Sequence, residues 1–293
     1  MSAQFGVLKA SRRPFLLACV LGIALGAFPS IAVASVAQPR LLSAGNFTVM
    51  AASAITNTGS TTITGNLAIS PKKASSVTGF PPGVVTGAKD EDNAVAIRAQ
   101  TDLVTTYNDA AKATPFKNMS GVNLGGKTLT PGVYHFSSSA QLTGTLILNG
   151  EGRTSSVFIF QIGSALTTAS RARVVLINRA SSCNVFWQVT SSATLGTATS
   201  FQGNLIALTS ITMTTGATIG VGGGVNGGRA LARNGALTLD TNIIRPPTGV
   251  CTTSSTTIST PSTGAAPVAL APWLLGSGAF LVVALTFRRR RWS

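Results

Sequence analysis

Residues Ala193 to Ile244 read ATLGTATSFQGNLIALTSITMTTGATIGVGGGVNGGRALARNGALTLDTNII. The stretch is almost free of acids, rich in Thr, Ala and Gly, and built of short apolar–polar alternations broken every few residues by glycine. Within it Ser210-Ile211-Thr212-Met213-Thr214 and Ala236-Leu237-Thr238-Leu239-Asp240 share one plan. In an extended chain Ile211, Met213, Leu237 and Leu239 fall on one face, and the small and hydroxylated residues between them fall on the other. Ser53-Ala54-Ile55-Thr56, Ser139-Ala140-Gln141-Leu142-Thr143, Ser164-Ala165-Leu166-Thr167 and Ser192-Ala193-Thr194-Leu195 are looser copies. A small residue, an aliphatic and a threonine that return with turn residues between them form a stacking unit; short strands so punctuated suit a sandwich, a barrel or a solenoid, and the repeating unit tips the choice toward a β-solenoid.

The composition agrees. Charged residues make up 10% and hydrophobic residues 44% of the 293, aromatics only 6%, and there are 31 glycines. That balance excludes a disordered chain and a helical enzyme, and suits many short strands joined by frequent turns. The net charge of +15 is not the mark of a nucleic-acid binder. Lys9, Arg12 and Arg13 sit in the N-terminal leader and Arg288 to Arg291 at the C-terminus. The remaining basic residues are scattered, with no aromatics between them, so a nucleic-acid groove is not expected.

Taken in order, residues 1–34 have the charged, apolar and small-x-small regions of a secretory signal peptide, with cleavage after Ala34 or after Ala37. Ser11-Arg12-Arg13-Pro14-Phe15-Leu16-Leu17 resembles a twin-arginine signal but lacks the closing lysine, which favours ordinary Sec export. Residues 35–251 form the exported domain. It is mainly β, with one long helix at about 90–112, where Asp90, Glu91 and Asp92 are expected to crowd the first turn. Cys19 lies in the leader, so Cys183 and Cys251 are left as an even pair and read as one disulfide. Residues 252–266 are a Ser/Thr-rich linker. Residues 267–287 carry no charge and are long enough for a transmembrane anchor, and residues 288–293 are a basic cytoplasmic tail. Leader and anchor together predict an exported domain at the cell surface.

Two resemblances refine this. Thr260-Pro261-Ser262-Thr263-Gly264 resembles a sortase sorting signal, with Thr260 in place of the family's leucine. It implies cleavage between Thr263 and Gly264 and transfer to the cell wall, while the departure favours a simple membrane anchor. The exported domain resembles the microbial ice-binding family. The carriers, in order, are Gly45-Asn46-Phe47-Thr48-Val49-Met50-Ala51, Ile63-Thr64-Gly65-Asn66-Leu67-Ala68-Ile69-Ser70-Pro71, Thr78-Gly79-Phe80 and Leu129-Thr130-Pro131-Gly132-Val133-Tyr134. Phe158 to Gly163, Asn184 to Val189, Gly228-Arg229-Ala230-Leu231-Ala232 and Thr238 to Asn242 complete the match. The resemblance implies a discontinuous right-handed β-solenoid with a long α-helix packed alongside, and an ice crystal surface as partner. The glycine-rich run Val221 to Gly227 stands as an insertion, expected to distort the last coil.

Registration on the inward aliphatics gives Thr56, Thr143, Thr167, Thr194, Thr212, Thr214 and Thr238 as candidate ice-binding residues. Threonine suits such a face because its β-branch restricts χ1 and little rotamer freedom is lost on docking. Catalysis is not expected. The one histidine, His135, sits in an apolar strand, no metal-ligand spacing occurs, and five of the seven acids fall on the helix segment. No cofactor is expected. The alternative from the same residues is a surface adhesin that grips glycan, matrix or another cell.

Overall fold

A short strand with aliphatics on one side leaves both its backbone edges unpaired, so it needs a neighbour on each side. In the computed structural model, which describes Ser2 and residues 36–221, 226–248 and 251, these strands find their neighbours in three all-parallel sheets. Sheet A has nine strands, in the spatial order Lys89–Glu91, Asn66–Ile69, Phe47–Ala51, Gly228–Ala232, Gly203–Ala207, Val185–Val189, Phe158–Ile162, Gly132–Phe136 and Phe116–Asn118. Sheet B has seven, from Val77–Thr78 through Ile55–Thr58, Leu237–Asp240, Ile211–Met213, Ala193–Leu195 and Leu166–Thr168 to Ala140–Leu142. Sheet C has eight, from Val84–Val85 through Thr62–Ile63, Ile243–Ile244, Thr218–Ile219, Ser200–Phe201, Arg173–Ile177 and Thr145–Asn149 to Thr128–Leu129. Each full coil visits A, B and C in turn.

Spatial order is not chain order, which makes the solenoid discontinuous. The first coils, from Phe47 to Glu91, lie beside the last one, from Gly228 to Ile244. Val49 pairs with Ala230, Ile55 with Leu237 and Thr62 with Ile243, so the junction is closed by hydrogen bonds in all three sheets. Helix α1 (Ala94–Ala111) carries the chain from the edge strand Lys89–Glu91 to the opposite edge at Phe116–Asn118, from which it winds back.

The expected helix at about 90–112 needs correction at its start. Lys89–Glu91 is a strand paired with Leu67–Ile69, and no acid lies in the first turn of the helix. Asn93 caps it instead, its side chain accepting a hydrogen bond from the Ala96 amide, and sheet pairing outweighs any dipole gain from the three acids. The buried stripe is also the smaller one. Ala96, Ala99, Leu103, Thr106, Tyr107 and Ala110 face the sheet, while Ile97 is 50% exposed. Sheet A presents bulky Phe47, Met50, Ile159, Phe186, Ile206 and Leu231 to the helix, and alanines let the two approach. Gln161 Nε2 donates to the carbonyls of Ala110 and Ala113, satisfying the helix C-terminus. At its middle, the Ser43 amide and hydroxyl both donate to the Asp102 carboxylate, and the hydroxyl bond is the main reason that carboxyl is held below the ordinary carboxylate range.

Inside the coils the core is aliphatic at the junction end and aromatic toward the other. Tyr134, Phe160 and Trp187 stack, with ring centroids 5.4 and 3.8 Å apart, and Phe201 closes on Trp187 at 4.8 Å. Tight corners require glycine at few places. At Gly203 φ is +98°, and a Cβ there would come within 2.7 Å of Val185. The insertion before Gly228 does not distort the last coil: Gly228–Ala232 keeps full register with Gly203–Ala207, and Leu237–Asp240 with Ile55–Thr58. Residues 222–225 lie outside the described residues. Beside this coil Arg229, 7% exposed, donates to Asn204 Oδ1 at 2.9 Å and the Gly45 carbonyl at 2.8 Å, and burial pushes its guanidinium down to about 10.

The signal peptide (1–34), linker (252–266), transmembrane anchor (267–287), basic tail (288–293) and sorting signal at Thr263 and Gly264 lie outside the described residues. Among the described residues no helix is long and apolar enough to cross a membrane.

Cys183 and Cys251 form the expected disulfide, with Cα atoms 5.4 Å apart and a sequence separation of 68. Replacing both by serine is expected to lower the stability of the folded domain by about 2–4 kcal/mol. Thermal unfolding followed by circular dichroism measures this as a clear drop in Tm.

Candidate functional site

The outer face of sheet A is covered by the helix and that of sheet C carries an arginine and bulky aliphatics. Sheet B differs from both. Its strands are three or four residues long in the middle, with the pattern inward, outward, inward: Leu166-Thr167-Thr168, Ala193-Thr194-Leu195, Ile211-Thr212-Met213. Because the pairing is parallel and without bulges here, the outward position of each strand is copied onto the next. Thr167 pairs with Thr194, Thr194 with Thr212, Thr212 with Thr238, and Thr238 with Thr56. The file runs on to Thr78 at one end and to Gln141 at the other. Six threonines therefore stand in one row, each about 4.8 Å from the next. At the junction of the last coil with the first, the hydroxyls of Thr56 and Thr238 lie 3.5 Å apart.

A second file runs beside the first. The residues one step before the inward positions are Ser139, Ala165, Ser192, Ser210, Ala236, Ala54 and Ser76, small at every coil. Three of the serines are spent on the neighbouring backbone: Ser210 Oγ accepts from the Ala236 amide at 3.2 Å, Ser139 Oγ from the Ala165 amide at 3.4 Å, and Ser192 Oγ from the Ser210 amide at 3.4 Å. The result is a row of hydroxyl-and-methyl side chains flanked by a floor of alanines and serines. Neither file contains a titratable side chain, and the nearest acid in the strands, Asp240, sits at the margin and accepts from the hydroxyls of Thr215 and Thr241.

Of the seven sequence candidates, Thr56, Thr167, Thr194, Thr212 and Thr238 share the file. Thr143 and Thr214 do not. Thr214 lies past the inward Met213, its hydroxyl donating to the Leu195 carbonyl at 2.9 Å and 3.4 Å from that of Thr197, so it is turned into the corner leading to sheet C. Thr143 occupies the equivalent corner and accepts from Asn123 Nδ2 at 3.1 Å. Registration on Leu142 placed it one step too far: the ladder aligns Ala140, not Leu142, with Leu166, which brings Gln141 into the threonine position. Thr78 was missed, although Ser76-Val77-Thr78 has the same small–aliphatic–threonine plan.

The remaining candidates fall elsewhere. His135 is half-buried on sheet A, its ring 4.7 Å from that of Phe116. Phe158, Phe160, Phe186 and Trp187 are fully buried. Among the described residues no group of three or more His, Cys, Asp or Glu could hold a metal ion. A flat, uncharged, repeating surface of this kind has no cavity to enclose a small ligand, and fits a partner that is itself flat and periodic.

Comparison with known proteins agrees with the fold. Residues 49–245 match the family model described as ice-binding-like. An ice-binding protein of Nostoc sp. (strain HG1) is 48% identical over 236 residues, covering 80% of this chain and 83% of its own length. Among solved structures, an ice-binding protein from an Antarctic biological consortium is 46% identical with a TM-score of 0.66, over 70% of this chain and 90% of that one. The ice-binding protein of the Antarctic ascomycete Antarctomyces psychrotrophicus is 36% identical with a TM-score of 0.66, over 72% of this chain and all of that one.

The absence of titratable groups in both files has a consequence for pH. Whatever the face binds should be bound equally well from about pH 5 to about pH 9, the range in which no threonine, serine, alanine or glutamine changes charge. The fold itself is less indifferent. Asp102 is held low by Ser43, so its contribution to stability is complete above the ordinary carboxylate range and is lost as the pH falls through its folded value. Binding assayed across a pH series, with circular dichroism alongside, separates the two effects.

Proposed function

The chain belongs to the ice-binding-like family, and we propose that it adsorbs to ice through the outer face of sheet B. The row of six threonines in register, Thr78, Thr56, Thr238, Thr212, Thr194 and Thr167, carries this reading. Hydroxyls about 4.8 Å apart across the strands, each on a χ1-restricted side chain, hold water in a fixed repeat near the protein surface. Each methyl group fills an apolar hollow between water positions. The neighbouring alanines and serines keep the plane level, and the missing charges leave no tightly held hydration shell to compete with the lattice. Adsorbed molecules would then inhibit growth or recrystallisation of the ice they cover.

The same proposal extends to where the protein acts. The N-terminal leader and the Cys183–Cys251 disulfide support export to an oxidising compartment. The apolar segment 267–287 followed by Arg288 to Arg291 supports attachment at the cell surface, where adsorption would hold the cell to ice. Attachment to the cell wall would require processing at Thr263–Gly264.

Freezing hysteresis and recrystallisation inhibition by the purified protein test the reading. Thr212→Tyr, which raises a ring from the middle of the row, should abolish most of the activity, and Thr78→Tyr at its end should reduce it less. Thr143→Tyr, outside the row, should leave it near that of the parent. Equal activity in the Thr212 and Thr143 variants would refute the assignment of the face. An inactive parent protein that instead bound glycan would favour the adhesin reading.

A further inference from the structure

Sheet C carries a second exposed surface of opposite character, and nothing in the ice-adsorbing role uses it. Along the strand Arg173–Ile177 the exposed residues are Arg173, Val175 and Ile177, while Val174 is buried and Leu176 half-buried. Arg171 lies in the turn before this strand and Arg179 in the turn after it, both exposed and both with left-handed backbone, so cations flank the short aliphatic stretch at either end. Val175 and Ile177 are each 38% exposed. Ile147 of the adjoining strand lies in register with Val175 and widens the strip. None of the three guanidiniums is paired with a carboxylate among the described residues. Thr128–Leu129, Thr145–Asn149, Arg173–Ile177 and the turns that follow them contain one acid, Glu151, which is already paired with Arg153 at 2.6 Å.

The chemistry of this surface narrows its partner. Arginines hold their own hydration and roughen the plane, which does not suit ice. The outward positions of these strands carry no aromatic ring on which a sugar could stack. A second copy in a two-fold contact would set arginine against arginine. A phospholipid surface has what remains: phosphates that accept from guanidinium forks, with an apolar layer just beneath them. We propose that this face of sheet C docks on anionic phospholipid, with Arg171, Arg173 and Arg179 at the phosphates and Ile147, Val175 and Ile177 against the headgroup–acyl boundary.

Co-sedimentation of the purified protein with vesicles of phosphatidylserine and phosphatidylcholine, against vesicles of phosphatidylcholine alone, tests this. Binding is expected to the anionic vesicles only and to fall steeply as salt is raised. The variant Arg171→Gln/Arg173→Gln/Arg179→Gln should bind roughly a hundredfold more weakly, from the contribution of each basic residue near an anionic leaflet. Val175→Thr/Ile177→Thr should weaken vesicle binding but not binding to a soluble acidic polysaccharide such as alginate. Failure of the parent to sediment with anionic vesicles would overturn the proposal, as would unchanged binding by the folded arginine variant. Full vesicle binding by the Val175/Ile177 variant would show a general polyanion surface instead and would also overturn it. Thr212→Tyr should bind vesicles as the parent does, so this proposal and the ice reading can fail separately.

Discussion

A parallel β-ladder without bulges copies the outward position of one strand onto the same position of the next, and everything distinctive about sheet B depends on that copying. The backbone does not choose what is copied. Side chains do, through the inward aliphatics that must meet in the core: Leu166, Ala193, Ile211, Leu237 and Ile55 stack on one another, and this alone sets Thr167, Thr194, Thr212, Thr238 and Thr56 in line. A slip of one residue in any coil would expose an aliphatic and bury a threonine hydroxyl, a doubly unfavourable exchange. The level outer row is therefore held in place by the core beneath it.

The other two sheets keep the rest of the chemistry away from that row. Sheet A takes the helix and, with it, most of the acids, anchored by Gln161 at the helix C-terminus, Asn93 at its start and Ser43 at its middle. Sheet C takes Arg173 and the exposed aliphatics. The junction between the first and last coils falls inside the row, at Thr56 and Thr238, so a continuous face is assembled from two distant parts of the chain. It stays continuous because all three sheets pair across the junction, and the Cys183–Cys251 disulfide ties the end of the domain to the turn that leads into the strand Val185–Val189. The glycine-rich insertion falls in the sequence between Thr218–Ile219 of sheet C and Gly228–Ala232 of sheet A, and both of those strands keep their ladders.

Much of this was legible in the residues. Alternation of aliphatic and small residues in a strand identifies its faces without any structure, and five of the seven proposed threonines share the row for that reason. What failed was registration between coils. In Ser139-Ala140-Gln141-Leu142-Thr143 the larger Leu142 looked like the partner of Leu166, yet the ladder uses Ala140 there, because Leu142 fills the position of Thr168 one step on. Which of two inward residues begins a coil depends on the space left by the coils above and below, which no single segment encodes. The helix start failed similarly. Asp90 and Glu91 could have begun a helix, but Lys89–Glu91 lies against a free strand edge, and a ladder closes more backbone hydrogen bonds than a helix turn at that point. The choice of alanines for the buried helix stripe follows from the bulk of the sheet it covers, and is visible only once that sheet is known.

The central claim is that a level row of threonines on sheet B seats the protein on ice. Growth of a single ice crystal in a dilute solution of fluorescently labelled protein measures it most directly. The label belongs on the exposed Asn108 of the helix, introduced through Asn108→Cys, because the helix covers sheet A and leaves sheet B free. The account predicts fluorescence concentrated on the ice and retained as the crystal grows. Exclusion of the labelled, folded protein into the liquid, as for an ordinary soluble protein, would contradict it.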